Sequence, residues 1–337
     1  MTSMKQIIAA ARKAPKHIVL SEGEDPRIIE AACEASKDGI ARITLLGDKD
    51  RIWSQVSAHA RNGSSDTDDI QIIDPKSAPR LASYAEEYHV LRRHKGIDQD
   101  AALHAVSEPL GFAAMMVRQG DADGTVSGAV QTTSDTVRTA LQVIGKAPEA
   151  DMVSSFFLVI LQEPHHQTKT TLIFADCALI IDPTAEELAT IAISSAGSYR
   201  QLIGQEPLVA MLSFSTAGSA SHAKVDKVNE ATNLVRAAHP ALKIHGDLQF
   251  DAAFVPEVSA LKSPESDLEG RANVMIFPNI EAGNIGYKIA HRIGGAIAVG
   301  PILQGLAHPA NDLSRGCSAQ DIYNMIAVTC VQVQTQT

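Results

Sequence analysis

The chain has 337 residues, of which 45% are hydrophobic, 20% charged and only 4% aromatic. This length exceeds what one compact core usually holds, so we expect two domains. The formal net charge of −10 argues against a general nucleic-acid or anionic-membrane surface, so binding of an anionic ligand would require a local cluster of cations.

The cysteines lie far apart and form no Cys-x-x-Cys pair, which argues against a zinc site, a redox pair or a disulfide framework. The sequence has neither a secretory signal peptide nor an apolar stretch of roughly 18 residues that would cross a membrane. We therefore expect a cytoplasmic protein with free thiols.

The N-terminal half alternates predicted strands and helices. Strands are predicted at residues 17–20, 41–46 and 71–73. One helix should begin at Asp25-Pro26, because Asp suits the N-cap and Pro the first helical position, and another should span residues 79–94. This alternation predicts an α/β fold with a mostly parallel sheet between helical layers.

A second series of strands follows, at residues 155–161, 171–174, 178–181, 208–212, 242–245, 274–276 and 296–299. Thr184 and Glu187 form a capping-box pattern at the start of a helix. Boundaries are expected near Lys146-Ala147-Pro148 and at Gly300-Pro301. They give a discontinuous first domain of residues 1–149 plus 301–337, and a second of residues 150–300. If the last helix returns to the first domain, the active-site cleft lies between the two.

Residues 120–135 combine three glycines with several hydroxyl side chains and then enter a helix. A helix N-terminus attracts phosphate, and glycines let backbone N–H groups approach it closely. Arg138 lies four residues after Ser134, on the same helical face. The other interpretation is a simple turn with an N-cap and a solvated Arg138. The pattern is neither a P-loop nor a dinucleotide fingerprint.

Residues 91–96 are the densest basic cluster and include Arg92, Arg93 and Lys95. They fall near the end of a predicted helix, where cations are favourable without any ligand. In an acidic chain, the same cluster could instead meet a phosphate across a cleft.

Residues 304–321 are polar and follow a predicted strand, the position where open α/β sheets place ligands. Arg315 offers a planar fork for phosphate oxygens, Ser314 a hydroxyl and Asp321 a potential base. In one continuous helix, Ser314 and Asp321 would share a face two turns apart. If the helix begins near Ser318, Asp321 instead belongs to a cap worth about 1 kcal/mol. Cys317 is either a nucleophile that forms an acyl-enzyme or a small buried residue.

Several segments resemble the phosphate acetyltransferase (phosphotransacetylase) family over nearly the whole chain. They are DGTVSGAVQTTSDTVR, FPNIEAGNIGYK and GPILQGL with NDLSRG. The resemblance is to the short form of the family, without added N-terminal domains. It implies two α/β domains with an active-site cleft between them, an architecture related to isocitrate-dehydrogenase-like enzymes, and a homodimer.

The resemblance also implies roles for individual residues. The catalytic residues would be Ser314, Arg315 and Asp321. Groups that bind phosphate or acetyl phosphate would be Arg138, Arg92 or its neighbour Arg93, and Arg315. From the glycine-rich segment itself, Ser127 and Thr132 are added as candidates to bind the same phosphate. Asn284, Gln304 and Asn311 lie in polar segments that follow predicted strands, so they are further candidates to line the cleft. The implied reaction is acetyl transfer between acetyl-CoA and phosphate, with coenzyme A as a substrate and no metal or permanently bound cofactor. Phosphate butyryltransferase activity is the open alternative.

Overall fold

The computed structural model describes residues 4–61 and 70–336. Its described residues divide into two compact units: residues 5–61, 70–149 and 306–336 (the first unit) and residues 150–305 with Met4 (the second unit). The strands are β1 (Lys16–Leu20), β2 (Ala41–Leu46), β3 (Ile70–Ile73), β4 (Gly124–Ser127), β5 (Ser154–Leu161), β6 (Thr170–Ala175), β7 (Leu208–Leu212), β8 (Lys243–Leu248), β9 (Val274–Ile276), β10 (Ile297–Gln304) and β11 (Ala310–Asp312).

Helices fill the intervals between most of these strands. They are α1 (Met4–Lys13), α2 (Pro26–Lys37), α3 (Lys49–Arg61), α4 (Leu81–Arg92), α5 (Gln99–Ser107), α6 (Pro109–Arg118), α7 (Thr133–Thr139), α8 (Ala185–Ile203), α9 (Ala223–Ala238), α10 (Phe250–Phe254), α11 (Pro256–Lys262), α12 (Ile280–Arg292) and α13 (Ala319–Gln336). Within the described ranges, no helix combines the length and apolar character needed to cross a bilayer.

The sheet of the first unit is parallel throughout, in the order β11-β4-β1-β2-β3. Its central strand carries Ile18, Val19 and Leu20, all fully buried, as expected for a sheet covered on both faces. Helix α13 packs against α2, β1 and β4, so the C-terminal helix belongs to this unit. The strand order brings the carboxyl ends of β11, β4 and β1 next to one another.

The second unit contains a mixed sheet in the order β10-β5-β6-β9-β7-β8. The β10–β5 and β5–β6 pairs are antiparallel, and the other pairs are parallel. Aliphatic and aromatic side chains of the sheet form its core, including Phe157, Phe174 and Met275. Together the two units confirm the predicted α/β class with mostly parallel sheets.

Two helix starts that were predicted from capping residues are confirmed, those of α2 and α8. Asp25 caps α2 by accepting a hydrogen bond from the Arg27 amide, with Pro26 in the first turn. Thr184 and Glu187 form the expected capping box of α8. Both patterns depend only on residues within one helical turn of each other, which is why the sequence alone could indicate them.

The predicted strand at residues 178–181 is wrong, because the Asp176 carboxylate turns the chain where β6 ends. Its Oδ1 accepts hydrogen bonds from the amides of Ala178 over 2.8 Å and Leu179 over 2.9 Å. Its Oδ2 accepts a third from the Ser155 amide over 2.8 Å. These bonds give the backbone an alternative to a sheet ladder.

The second domain boundary was expected at Gly300-Pro301, but these residues lie inside β10. The pairing of β10 with β5 shifts register between Val299 and Ile302, which accommodates a proline that cannot donate to the ladder. The chain passes to the first unit after Gly305 instead.

Candidate active site

Three loops follow the carboxyl ends of β1, β4 and β11 in the first unit. We call residues 21–25 the Glu22 loop, residues 128–132 the glycine turn and residues 313–318 the Ser314 loop. Register pairs place Leu20 beside Val126 and Asp312 beside Ser127, so the three loops leave neighbouring strands. This edge of a parallel sheet is where α/β proteins bind ligands.

The glycine turn wraps around the carboxylate of Glu22. Oε2 accepts hydrogen bonds from the amides of Gly128 over 3.0 Å and Ala129 over 2.7 Å. Oε1 accepts from Val130 over 2.9 Å and Gln131 over 2.7 Å. Consecutive amides that converge in this way form an anion-binding concavity, and bonds to an ionised acceptor are the stronger ones. The backbone donors that the sequence suggested for phosphate are therefore engaged by Glu22.

Arg27 connects the glycine turn with the Ser314 loop. One guanidinium nitrogen, Nη2, donates to the Ala129 carbonyl oxygen over 2.9 Å. The other, Nη1, donates to the carbonyl oxygens of Arg315 over 2.8 Å and Cys317 over 3.0 Å. Asp25 fixes this side chain through Arg27 Nε over 3.0 Å, and the same bonds lower the pKa of Asp25.

Ser314 and Arg315 are exposed at the tip of their loop. The Ser314 hydroxyl oxygen accepts a 3.3 Å hydrogen bond from the Gly316 amide, which leaves its proton available. Among the residues that the structure describes, the Arg315 guanidinium has no hydrogen-bond or ion-pair partner. Both side chains can therefore meet a ligand without first breaking a contact in the protein.

Asp321 lies in the first turn of α13 and forms a reciprocal cap with Ser318. Its Oδ2 accepts from the Ser318 amide over 2.9 Å and from the Ser318 hydroxyl over 2.8 Å, while its own amide donates to that hydroxyl oxygen over 3.2 Å. The cap interpretation is thus correct, and the single helix joining Ser314 to Asp321 is wrong. Oδ1 of Asp321 accepts no hydrogen bond within the described part of the chain, so it remains open to a substrate proton.

Cys317 occupies the same loop but is buried. Burial raises the pKa of its thiol to about 11, although the nearby Arg27 guanidinium opposes the rise. The thiol therefore stays protonated near neutral pH, which makes it a poor nucleophile. This favours the interpretation of Cys317 as a small buried residue.

Asp312 carries a fully buried carboxyl directly before the Ser314 loop. Neither of its oxygens has a well-aligned hydrogen-bond partner among the described residues, and the buried hydroxyl of Thr136 also lacks one. Burial raises the pKa of Asp312 to about 6, and the neighbouring hydroxyls of Thr133 and Thr136 offset only part of that rise. The negative charge of Glu22 adds to it.

Thr132 and Arg138 lie at opposite ends of α7. Thr132 is the N-cap and its hydroxyl oxygen accepts from the Asp135 amide over 3.2 Å. Arg138 Nη1 forms a 2.9 Å ion pair with Asp135 Oδ1, and the two side chains are 60% and 43% exposed. A phosphate that binds Arg138 would therefore compete with an exposed carboxylate.

The basic cluster ends α4 as predicted, although the helix is shorter than residues 79–94. Arg92 is the last residue of α4 and is half-buried, while Arg93 is exposed in a following 3-10 turn. The buried Nε atom of Arg92 has no hydrogen-bond partner within residues 4–61 and 70–336.

Three predicted site residues are buried and hydrogen-bonded inside their own units. Ser127 Oγ accepts a 2.7 Å bond from Ser21 Oγ. Asn311 Nδ2 donates to Thr329 Oγ1 over 2.9 Å, which ties β11 to α13. In the second unit, Gln304 Nε2 donates to Ser154 Oγ over 2.9 Å and to Ser195 Oγ over 3.0 Å. These side chains therefore already have partners inside the protein, and their contact with a ligand stays a prediction.

Asn284 belongs to α12 of the second unit and is half-buried. Its Nδ2 donates to the Cys177 carbonyl oxygen over 3.0 Å. Its predicted place in a cleft remains a prediction. Within the described ranges, no group of three side chains could hold a metal ion.

The sequence interpretation missed Glu22, Arg27 and Asp312. The segment Ser21-Glu22-Gly23-Glu24-Asp25 is polar and follows an apolar strand, which is the same signal that drew attention to residues 304–321. The acidic side chains of this segment argued against a phosphate site, because phosphate binding was expected from clustered cations. The role of Arg27 depends on contacts with residues more than one hundred positions away, which local spacing does not reveal.

Fold and site together define an α/β enzyme with an exposed arginine at the carboxyl edge of a parallel sheet, and this arginine has no partner among the described residues. The sequence model of the phosphate acetyl/butaryl transferase family matches residues 2–330. The chain therefore belongs to this family of acyltransferases.

Individual relatives agree with that assignment. The phosphate acetyltransferase of Paracoccus denitrificans is 49% identical over 334 residues, covering 99% of this chain and 100% of the relative. A phosphotransacetylase structure from Streptococcus pyogenes has a TM-score of 0.89 at 39% identity, covering 99% of each chain. The EutD phosphotransacetylase of Staphylococcus aureus has a TM-score of 0.85 at 40% identity, covering 99% of this chain and 100% of that one.

Proposed function

We propose that the chain catalyses reversible acetyl transfer between acetyl-CoA and phosphate, giving acetyl phosphate and coenzyme A. The observation that carries this proposal is the full-length similarity to relatives named phosphate acetyltransferase, at 49% identity for the Paracoccus protein. Arg315, which is exposed beside Ser314 and has no partner in the described part of the chain, supports it, because a guanidinium fork suits phosphate oxygens.

The proposed chemistry is a direct transfer within a ternary complex. In the direction of acetyl-CoA synthesis, Oδ1 of Asp321 takes the proton from the coenzyme A thiol. The thiolate sulfur attacks the carbonyl carbon of acetyl phosphate, and the bond from that carbon to the phosphate oxygen breaks. Phosphate leaves with the bonding electrons, held by Arg315, Arg138 and Arg92. Ser314 donates a hydrogen bond to the sulfur or to the carbonyl oxygen as it becomes negative.

Proton transfer sets an energetic requirement on this site. A free thiol and an ordinary carboxyl differ by roughly 4–5 pKa units, so moving the proton is uphill by about 6 kcal/mol. A guanidinium close to the sulfur lowers that cost by stabilising the thiolate. Arg315 is suited to this role because no described residue neutralises it.

An acyl-enzyme on Cys317 is not part of the proposal. Its thiol is buried, and its pKa is raised to about 11. It also lies beneath Arg27, whose Nη1 is 3.9 Å from the sulfur. A direct attack by the coenzyme A thiolate needs no residue in that position.

Coenzyme A is a substrate in this proposal, and no metal or permanently bound cofactor takes part. Thr132 contributes its hydroxyl to the phosphate position, as expected from the sequence. The cytoplasm is the proposed location, and a second copy of the chain is the proposed partner. The homodimer gains support from an exposed isoleucine stripe on α12 and its C-cap residue, formed by Ile285, Ile289 and Ile293 with exposed fractions of 58%, 53% and 82%. Large apolar side chains at helical spacing usually face another surface.

The direct assay is the release of free thiol from acetyl-CoA, with and without phosphate. The proposal predicts a rate that depends on phosphate and saturates with it. Butyryl-CoA under the same conditions tests the alternative, since the family description names both acyl chains. Faster turnover of butyryl-CoA would assign the chain to butyryl transfer instead.

A further inference from the structure

Glu22 takes no part in the proposed chemistry, yet its carboxylate has more backbone partners than the carboxylates around it. Both oxygens accept two hydrogen bonds each, all between 2.7 and 3.0 Å and all from consecutive residues of the glycine turn. The donors begin at Gly128, whose φ of +107° is readily adopted only by glycine. The turn is therefore shaped around an anion that the protein itself supplies.

This turn is connected to the two groups proposed to hold phosphate. Toward the C-terminus it leads directly into Thr132, the N-cap of the helix that carries Arg138. Sideways, its Ala129 carbonyl accepts from the same Arg27 side chain that holds the Arg315 carbonyl. A change in the shape of the turn would therefore reach both arginines.

We propose that Glu22 is a positioning residue whose carboxylate acts as an internal anion, shaping the glycine turn so that Arg138 and Arg315 face the phosphate. The inference rests on the proposed function where it is tested by enzyme turnover. The shape of the glycine turn can be tested independently, by the thermal midpoint of each variant with formate. Glu22 contacts no reacting atom in this scheme.

The proposal requires the charge and both oxygens of Glu22, rather than its bulk. In Glu22→Gln the side chain keeps its size, but its amide NH2 group faces two backbone N–H donors and cannot accept from them. In Glu22→Ala the anion position is empty, and a small carboxylate such as formate can enter it. Glu24→Ala is the matched control, because Glu24 lies in the same loop with its carboxylate paired to the exposed Arg51.

The experiment measures phosphate-dependent thiol release and the thermal midpoint of each variant, with and without sodium formate, against sodium chloride at equal ionic strength. Glu22→Ala and Glu22→Gln should lose on the order of 100-fold in kcat/KM, as misplacement of binding groups typically does. Formate should restore part of that loss in Glu22→Ala, in a saturable manner, and should leave Glu22→Gln and Glu24→Ala unchanged. The thermal midpoint of Glu22→Ala alone should rise with formate, since a ligand that binds only the folded state stabilises it.

Near wild-type kcat/KM in Glu22→Gln would overturn the proposal, because it would show that bulk alone is sufficient. A folded Glu22→Ala whose activity and thermal midpoint ignore formate would overturn it as well. If wild-type protein shows no phosphate-dependent thiol release, the proposed function has failed. In that case the formate effect on the thermal midpoints still decides whether Glu22 shapes the turn.

Discussion

The Cα of Gly128 lies directly against the buried carboxyl of Asp312. A Cβ at position 128 would overlap Asp312 Oδ1 and would also lie 2.7 Å from the Leu313 amide nitrogen. The glycine turn thus contacts two acidic side chains: Glu22 bonds to its amides, and Asp312 lies against Gly128 without a well-aligned hydrogen bond to any described residue. The Glu22 carboxylate accepts four backbone hydrogen bonds, whereas the Asp312 carboxyl is buried and its pKa is raised.

Asp312 should make the free energy of unfolding depend on pH. Its pKa of about 6 lies above the ordinary value of 3.8, so the folded chain binds the proton more tightly than the unfolded chain. The destabilisation is therefore absent below about pH 4 and fully present above about pH 6, where it reaches about 3 kcal/mol. Asp312→Asn removes the charge, so its stability relative to wild type should increase as pH rises across this range. Urea unfolding at several pH values measures the difference, and a pH-independent difference would refute the assignment.

Asp321→Asn should lower kcat by about 10²–10⁴-fold, the usual contribution of a general base, with little change in KM. Ser318→Ala is the matched control, since it removes the capping hydroxyl at a cost of about 1 kcal/mol but leaves the carboxylate in place. Steady-state kinetics of both variants distinguishes the loss of the catalytic carboxylate from the loss of the helix cap. Turnover close to wild type in Asp321→Asn would exclude this residue as the base.

Arg138→Ala should raise KM for phosphate and acetyl phosphate by about 10-fold or more, because a charge-assisted hydrogen bond is lost. Asp135→Asn provides the opposite change, since it releases Arg138 from its ion pair and should leave KM for phosphate unchanged or lower. Initial rates at varied phosphate give both values. A rise confined to KM for coenzyme A would show that Arg138 serves another part of the substrate.

Ile289→Glu should convert the proposed homodimer to monomer, because it places a charge in the middle of the isoleucine stripe on α12. Leu261→Glu is a suitable control, since Leu261 is 81% exposed on α11 and outside that stripe. Sedimentation velocity reports the oligomeric state of each variant. A dimer that persists in Ile289→Glu would place the interface elsewhere, and a monomeric wild type would remove the dimer altogether.

The parts of this structure that depend on short spans of sequence could be predicted. Asp25 with Pro26 and Thr184 with Glu187 marked their helices, and the strands at 41–46, 208–212 and 274–276 have the expected bounds. The strand predicted at residues 178–181 does not form, because the Asp176 carboxylate binds the amides of Ala178 and Leu179. An apolar run alone does not reveal this competing contact. The glycine-rich segment supplies the amides that bind the Glu22 carboxylate, but Glu22 could not be assigned to them from a position 106 residues away.

The measurement that tests the central claim most directly is phosphorus NMR of wild-type protein incubated with acetyl-CoA and phosphate, combined with a thiol assay of the same samples. Acetyl transfer to phosphate predicts a new acetyl phosphate resonance that grows in step with free thiol and decreases when coenzyme A is added back. Thiol release without acetyl phosphate would indicate hydrolysis instead, and the absence of both products would contradict the proposed activity.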